Sequence, residues 1–159
     1  GCARRTLRNS ASLVAGRPWL PTLCREFEAL ALDHLDRSPT VIHGEFYPEN
    51  VLVRDGRVYP IDWERSAVAA GEIDLAVLLE GHWEPAASDA AACAYARARW
   101  PLGTPAGHDR RLSIARMYLH FRALGDAPGA VHEPGAAWRF DRLAAEARAL
   151  GVAAAESLR

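Results

Sequence analysis

The chain has 159 residues, half of them apolar, which is enough for one hydrophobic core and places it among single globular domains or large pieces of one. Its 19 basic residues are all arginine and nearly balance 20 acidic ones for a net charge of −1, so nothing in the composition favours a polyanion, and no nucleic-acid partner is expected. Cys2, Cys24 and Cys93 are odd in number and never form a C-x-x-C pair, and no apolar run approaches the roughly 20 residues that span a bilayer. These features argue against a zinc knuckle, a disulfide framework and a membrane partner, and fit a cytoplasmic chain.

Residues 1–20 lack a clear period until Trp19 and Leu20, and the first residue is glycine, so the expectation is a fragment whose start lies upstream. From Thr22 the pattern changes. Leu23, Phe27, Leu30, Ala31 and Leu35 recur at helical spacing, with Pro21 and Thr22 as a start and Ser38-Pro39 as a stop. Next come Val41-Ile42, the polar insert HGEFYPEN, the run Val51–Val53, an Asp55-Gly56 turn and the run Val58–Ile61. An Asp-Gly step between β-branched runs is a hairpin signal, because such turns need positive φ, and Pro60 must then sit where no ladder hydrogen bond is required.

Beyond Asp62 the pattern reads as helical over 72–81, 86–99, 108–124 and 136–150, with Pro- and Gly-bearing breaks between. The expected architecture is a helix, a small hairpin region and then a helical bundle. Trp63 and Trp83 read as core or pocket wall. His82, His108, His120 and His132 share no metal-ligand spacing and read as surface or packing residues. Asp89, Asp109, Asp141 and Glu146 read as wet helix faces rather than a pocket for a cationic substrate.

The chemistry concentrates in the insert and the hairpin that follows it. His43, Glu45, Asn50, Asp62 and Glu64 fall within about twenty residues, and four of them carry oxygen donors. Asn50 starts one strand and Asp62 follows the next, so a tight hairpin returns them to the same end of the ribbon, where they can hold a hard divalent ion such as Mg²⁺. The His43-x-Glu45 step also occurs in zinc deaminases, but that chemistry needs a downstream cysteine pair, which this chain lacks. The interval from Glu45 to Asn50 equals that between the carboxylate and the metal-binding asparagine of a kinase catalytic loop, with Asp62 as the following acid.

With HGEFYPENVLV, the IDWE of Ile61–Glu64 and GEIDLA from Gly71 to Ala76, the chain resembles the aminoglycoside phosphotransferase and choline kinase-like family. That family's pattern is H-G-D-x-x-x-x-N, then I-D-[WF]-E, then G-[DP]-x-x-D-L-A. The resemblance covers about Leu23 to Leu79 well. It implies an α+β, mainly helical fold: the C-terminal lobe of a protein-kinase-like fold, with a small β-hairpin carrying the catalytic and metal-binding loops. It also implies ATP and Mg²⁺ as cofactors and phosphoryl transfer to a hydroxyl-bearing small molecule. By the same resemblance Glu45 orients or deprotonates the acceptor, Asn50 and Asp62 bind metal, His43 and Asp74 support the catalytic loop, and Glu64 stands one layer behind.

Two departures accompany the resemblance. Glutamate stands at position 45 where the family usually has aspartate, which moves the carboxylate by roughly an ångström. The chain also has no lysine and no glycine-rich loop before Thr22, so residues 1–159 are expected to be a partial domain without the nucleotide-clamping lobe. The competing readings are a non-catalytic kinase-like binding module and a metal-dependent hydrolase using the same acids on water. The acceptor's identity and the oligomeric state are not encoded in these motifs.

Overall fold

The computed structural model describes residues 1–81, 83–127 and 129–153. The fold is α+β and mainly helical, in the order α1 (Cys2–Asn9), α2 (Leu20–His34), β1 (Thr40–Ile42), β2 (Val51–Arg54), β3 (Arg57–Pro60), β4 (Ala67–Ala69), α3 (Glu72–Leu79), α4 (Pro85–Arg99), α5 (His108–Gly125) and α6 (Ala136–Leu150). The chain divides into two compact units, one of residues 1–36 with the described residues from 113 onward, the other of the described residues within 37–112. His82 lies outside the described residues.

The first unit is helical. Helix α2 buries Leu20, Leu23, Cys24 and Phe27 on one face, and Pro21 is tolerated because its missing N–H falls in the first turn. Phe27 meets Phe121 of α5 with ring centroids 4.8 Å apart. Helix α6 buries Phe140, Leu143, Ala144 and Ala147, and ends at Gly151, whose φ of 61° closes the last turn. Sequence periodicity did not reveal α1. It is only two turns long and buries Cys2, Ala3 and Thr6, small residues that carry little apolar signal, while Arg4, Arg5 and Arg8 face away. Its anchor is polar: the Thr6 hydroxyl donates to the Phe121 carbonyl at 2.8 Å.

Two side chains in this unit depart from the simple inside-outside pattern. Glu146, expected on a wet face, is buried and lies 3.8 Å from Arg116, because it sits at the edge of the stripe formed by Leu143, Ala144 and Ala147. His120 is fully buried, edge-on to Trp138 at 5.4 Å.

In the second unit, β1 pairs antiparallel with β4, placing Thr40 opposite Ala69, Val41 opposite Val68 and Ile42 opposite Ala67. Strand β4 falls in the stretch beyond Asp62, where the sequence pattern predicts no strand. With one β-branched residue between two alanines it has almost no strand signature, and only pairing defines it. Strands β2 and β3 form a separate hairpin from Val51↔Pro60 to Arg54↔Arg57. Its turn residues Asp55 and Gly56 take φ of 51° and 70°, the two positive values of a type I′ turn. Counting from that turn, Val51 and Pro60 form a non-hydrogen-bonded pair, so the ladder loses nothing to the proline. The Ile61 N–H then donates to the Asn50 carbonyl at 2.9 Å.

The pairing is nested: β1 and β4 enclose the β2–β3 hairpin in sequence. The insert after β1 and the return segment after β3 are therefore drawn together at one end of the β1–β4 pair. Helix α3 follows, with Glu72, Ile73, Leu75, Ala76 and Val77 buried.

Burial pushes the His120 imidazole down to about 3, and Arg139, Arg142 and Arg116 push in the same direction. The folded value lies below the unfolded one near 6.5, so the unfolded chain binds the proton first and stability is lost as pH falls below about 6.5. Urea unfolding at pH 7 and pH 5 is expected to reveal about 2 kcal/mol lost through this group, and His120→Leu should remove that loss. An unchanged loss in the variant would assign the acid sensitivity elsewhere.

Candidate active site

The insert is fixed at its first two residues. Gly44 is buried with φ of 85°, and a Cβ there would overlap the Arg65 carbonyl oxygen, so position 44 demands glycine both for its backbone angle and for its closeness to the return segment. Asp74, in the first turn of α3, accepts from both neighbouring amides. Its Oδ2 takes the His43 N–H at 2.6 Å and its Oδ1 the Gly44 N–H at 2.8 Å. One carboxylate thus ties two successive peptide groups to a helix.

His43 is buried and holds the insert to the hairpin. Its Nε2–H donates to the Ile61 carbonyl at 2.7 Å, and its Nδ1 accepts the Glu45 N–H at 3.3 Å. A carbonyl can only accept and an amide N–H can only donate, so these bonds select the tautomer with the proton on Nε2. The Trp63 ring stands 4.7 Å from the imidazole and Phe46 stands 5.7 Å from it.

Glu45 is half-buried, with its backbone held on both sides: the N–H by His43 and the carbonyl by the Asn50 amide, whose Nδ2 donates at 2.9 Å. That bond orients the Asn50 side chain and leaves its Oδ1 as the free acceptor. Asn50 and Ile61 face each other at the open end of the hairpin, so Asp62 follows immediately at the same end.

Asp62 has φ of 63° and ψ of 63°, the left-handed region in which a non-glycine residue is held at a cost of order 1–2 kcal/mol. Its exposed carboxylate makes no hydrogen bond or ion pair among the described residues. A strained backbone presenting an uncommitted carboxylate beside an oriented amide oxygen fits a hard cation that takes its remaining ligands from water and phosphate. Among the described residues no three His, Cys, Asp or Glu side chains form a metal cluster. Glu64 stands apart, exposed, with Arg65 4.0 Å away.

The structure thus draws His43, Glu45, Asn50 and Asp74 into one hydrogen-bonded loop, with Asp62 beside it and Glu64 outside it. Sequence reasoning passed over Glu72, which is buried and whose Oε1 lies 3.2 Å from both His108 Nδ1 and Arg111 Nε. A carboxylate in a helix's first turn is ordinary, and nothing local marks this one as buried.

Asp74→Asn keeps the side chain's size but leaves one amide facing an NH₂ instead of an acceptor. It should lower the unfolding free energy by about 1–3 kcal/mol in urea titration. Gly44→Ala should cost about 1–3 kcal/mol from backbone strain, and more from the overlap with Arg65. A loss below about 0.5 kcal/mol for Asp74→Asn would contradict a structural role for the double bond.

No curated protein and no solved structure matches the chain. Residues 3–111 match the APH family, described as Phosphotransferase enzyme family. The matched span runs from α1 to the first turn of α5 and contains the insert, the hairpin and α3. On this match, the chain belongs to the phosphotransferase enzyme family.

Proposed function

We propose that the chain carries the catalytic loop of an ATP- and Mg²⁺-dependent small-molecule kinase, as the C-terminal lobe of a protein-kinase-like fold acting in the cytoplasm. The γ-phosphoryl group of ATP is passed to a hydroxyl of a small metabolite or aminoglycoside-like acceptor. The observation that carries this reading is the double bond from Asp74 to His43 and Gly44, which holds Glu45 on a rigid support rather than on a free loop. Positioning is the main device available in phosphoryl transfer, so a fixed backbone at the carboxylate is what the chemistry needs.

Magnesium-bound ATP, when present, supplies the transferable group and neutralises its charge. In this reading Asn50 and Asp62 are the residues that hold the ion, by the amide oxygen and the uncommitted carboxylate. Glu45 accepts the proton of the acceptor hydroxyl or fixes its direction. His43 ties the Glu45 amide to the Ile61 carbonyl, so the insert and the hairpin move as one piece. Glutamate at 45, in place of the family's usual aspartate, favours a second reading, a kinase-like module that binds without transferring phosphate.

Turnover of the complete open reading frame containing this chain, measured on a panel of alcohols with ATP, separates the two. Glu45→Gln is expected to lower kcat by about 10²–10⁴-fold. Asp62→Asn should abolish Mg²⁺-dependent turnover. Turnover that survives Asp62→Asn would remove the metal assignment, and a wild-type protein that binds acceptors without forming ADP would favour the binding module.

A further inference from the structure

Beside the catalytic loop lies a cavity of about 500 Å³, within the range of small-molecule sites. Its walls come from β1, from Leu75 and Leu78 of α3, and from Ala91 and Ala94 of α4. Phe46 and Trp63, the chain neighbours of Glu45 and Asp62, complete it. The lining is overwhelmingly apolar. Of its polar groups, His43 and Asp74 are already committed to the hydrogen bonds of the loop, the Asp74 charge being met by two amide N–H groups.

Besides Thr40, the remaining polar side chain of the lining is Tyr95 of α4. Its hydroxyl is buried in the wall, beside an Arg99 guanidinium that can donate to its oxygen. A guanidinium can only donate, so the phenolic proton has no acceptor. Burial, and secondly the Glu72 charge, push the phenol up to about 12, so it remains a donor at neutral pH. Gly71 permits this placement, since a Cβ at that position would stand 2.6 Å from the Tyr95 oxygen.

Behind Tyr95 the same excess of donors continues. Arg99 Nε, Trp100 Nε1 and Arg111 Nη2 are buried without partners, and Arg111 is only 8% exposed. The Arg99 and Arg111 guanidinium carbons lie 4.5 and 5.8 Å from the Trp100 ring centroid. Glu72 is the carboxylate of this cluster and is bonded to Arg111 and His108. These residues stand behind the Tyr95 wall rather than in the cavity lining, and two guanidinium groups against one carboxylate leave that cluster short of acceptors and of negative charge.

We infer that the cavity receives the body of the acceptor alcohol, an apolar chain or ring whose far end carries a carbonyl or carboxylate oxygen that takes the Tyr95 proton. This rests on the kinase reading and names its substrate class: hydroxylated acids and neutral apolar alcohols, with polycationic acceptors excluded. An ammonium at the far end meets donors and positive charge, whereas a carboxylate supplies what the site lacks.

Binding of three matched probes to the chain, followed by calorimetry without nucleotide, tests this. The probes are 8-hydroxyoctanoate, octane-1,8-diol and 8-aminooctan-1-ol, which share a body and a reacting hydroxyl. Affinity is expected to fall in that order, with the carboxylate about tenfold ahead of the diol. Tyr95→Phe deletes a hydroxyl whose proton has no acceptor, so it should leave the melting temperature nearly unchanged while removing most of the carboxylate's advantage. The inference is overturned if the ammonium probe binds as tightly as the carboxylate, if Tyr95→Phe leaves the order intact, or if none of the three binds. Because no nucleotide is present, the order of probe affinities is read independently of the kinase reading, which fails separately if the bound probes form no phosphate ester once Mg²⁺ and ATP are added.

Discussion

The site depends on one carboxylate. Asp74 sits in the first turn of α3, where the helix's own N–H groups favour negative charge, and accepts from two consecutive amides of a segment with no regular structure. Hydrogen bonds to a charged group contribute about 1.5–3 kcal/mol each, against a backbone entropy cost of about 1–2 kcal/mol per residue fixed. Two such bonds are therefore enough to hold His43 and Gly44 in place. From those two residues rigidity passes outward: to Glu45 through the imidazole, to Ile61 through the other ring nitrogen, and to Asn50 through the Glu45 carbonyl.

The nested strand pairing supplies the other half of the construction. Pairing β1 with β4 around the β2–β3 hairpin brings two polar segments, distant in sequence, against each other with little chain to spare. Gly44 shows how close the approach is, since even a methyl group would overlap the opposite carbonyl. Asp62 carries the corresponding strain in its left-handed backbone. A sheet of only two strands contributes little stability alone, so these short pairs act mainly as a frame for the loops they join.

Much of this was legible in the sequence where the signal is local. The Asp55-Gly56 turn, the runs Val51–Val53 and Val58–Ile61, and the helices from 72 onward follow from turn chemistry and periodicity, and the hairpin geometry put Asn50 and Asp62 at one end. Strand β4 and helix α1 were not legible. Ala67–Ala69 and Cys2–Asn9 are defined by what they pair with or pack against, and neither interaction leaves a period in so few residues. Glu146 and Glu72 eluded the same reading, since a carboxylate is buried only when a distant arginine is positioned to meet it. The unpartnered donors at Tyr95, Arg99, Trp100 and Arg111 likewise have no sequence signature.

The central claim is that this loop passes a phosphoryl group to an alcohol. Phosphorus NMR of the complete open reading frame with Mg²⁺, ATP and a panel of alcohols tests it most directly, because each product gives its own resonance. The account requires ADP and a new phosphomonoester to appear in equal amounts, both dependent on the alcohol. Inorganic phosphate in place of the ester, or no consumption of ATP with any acceptor, would contradict it.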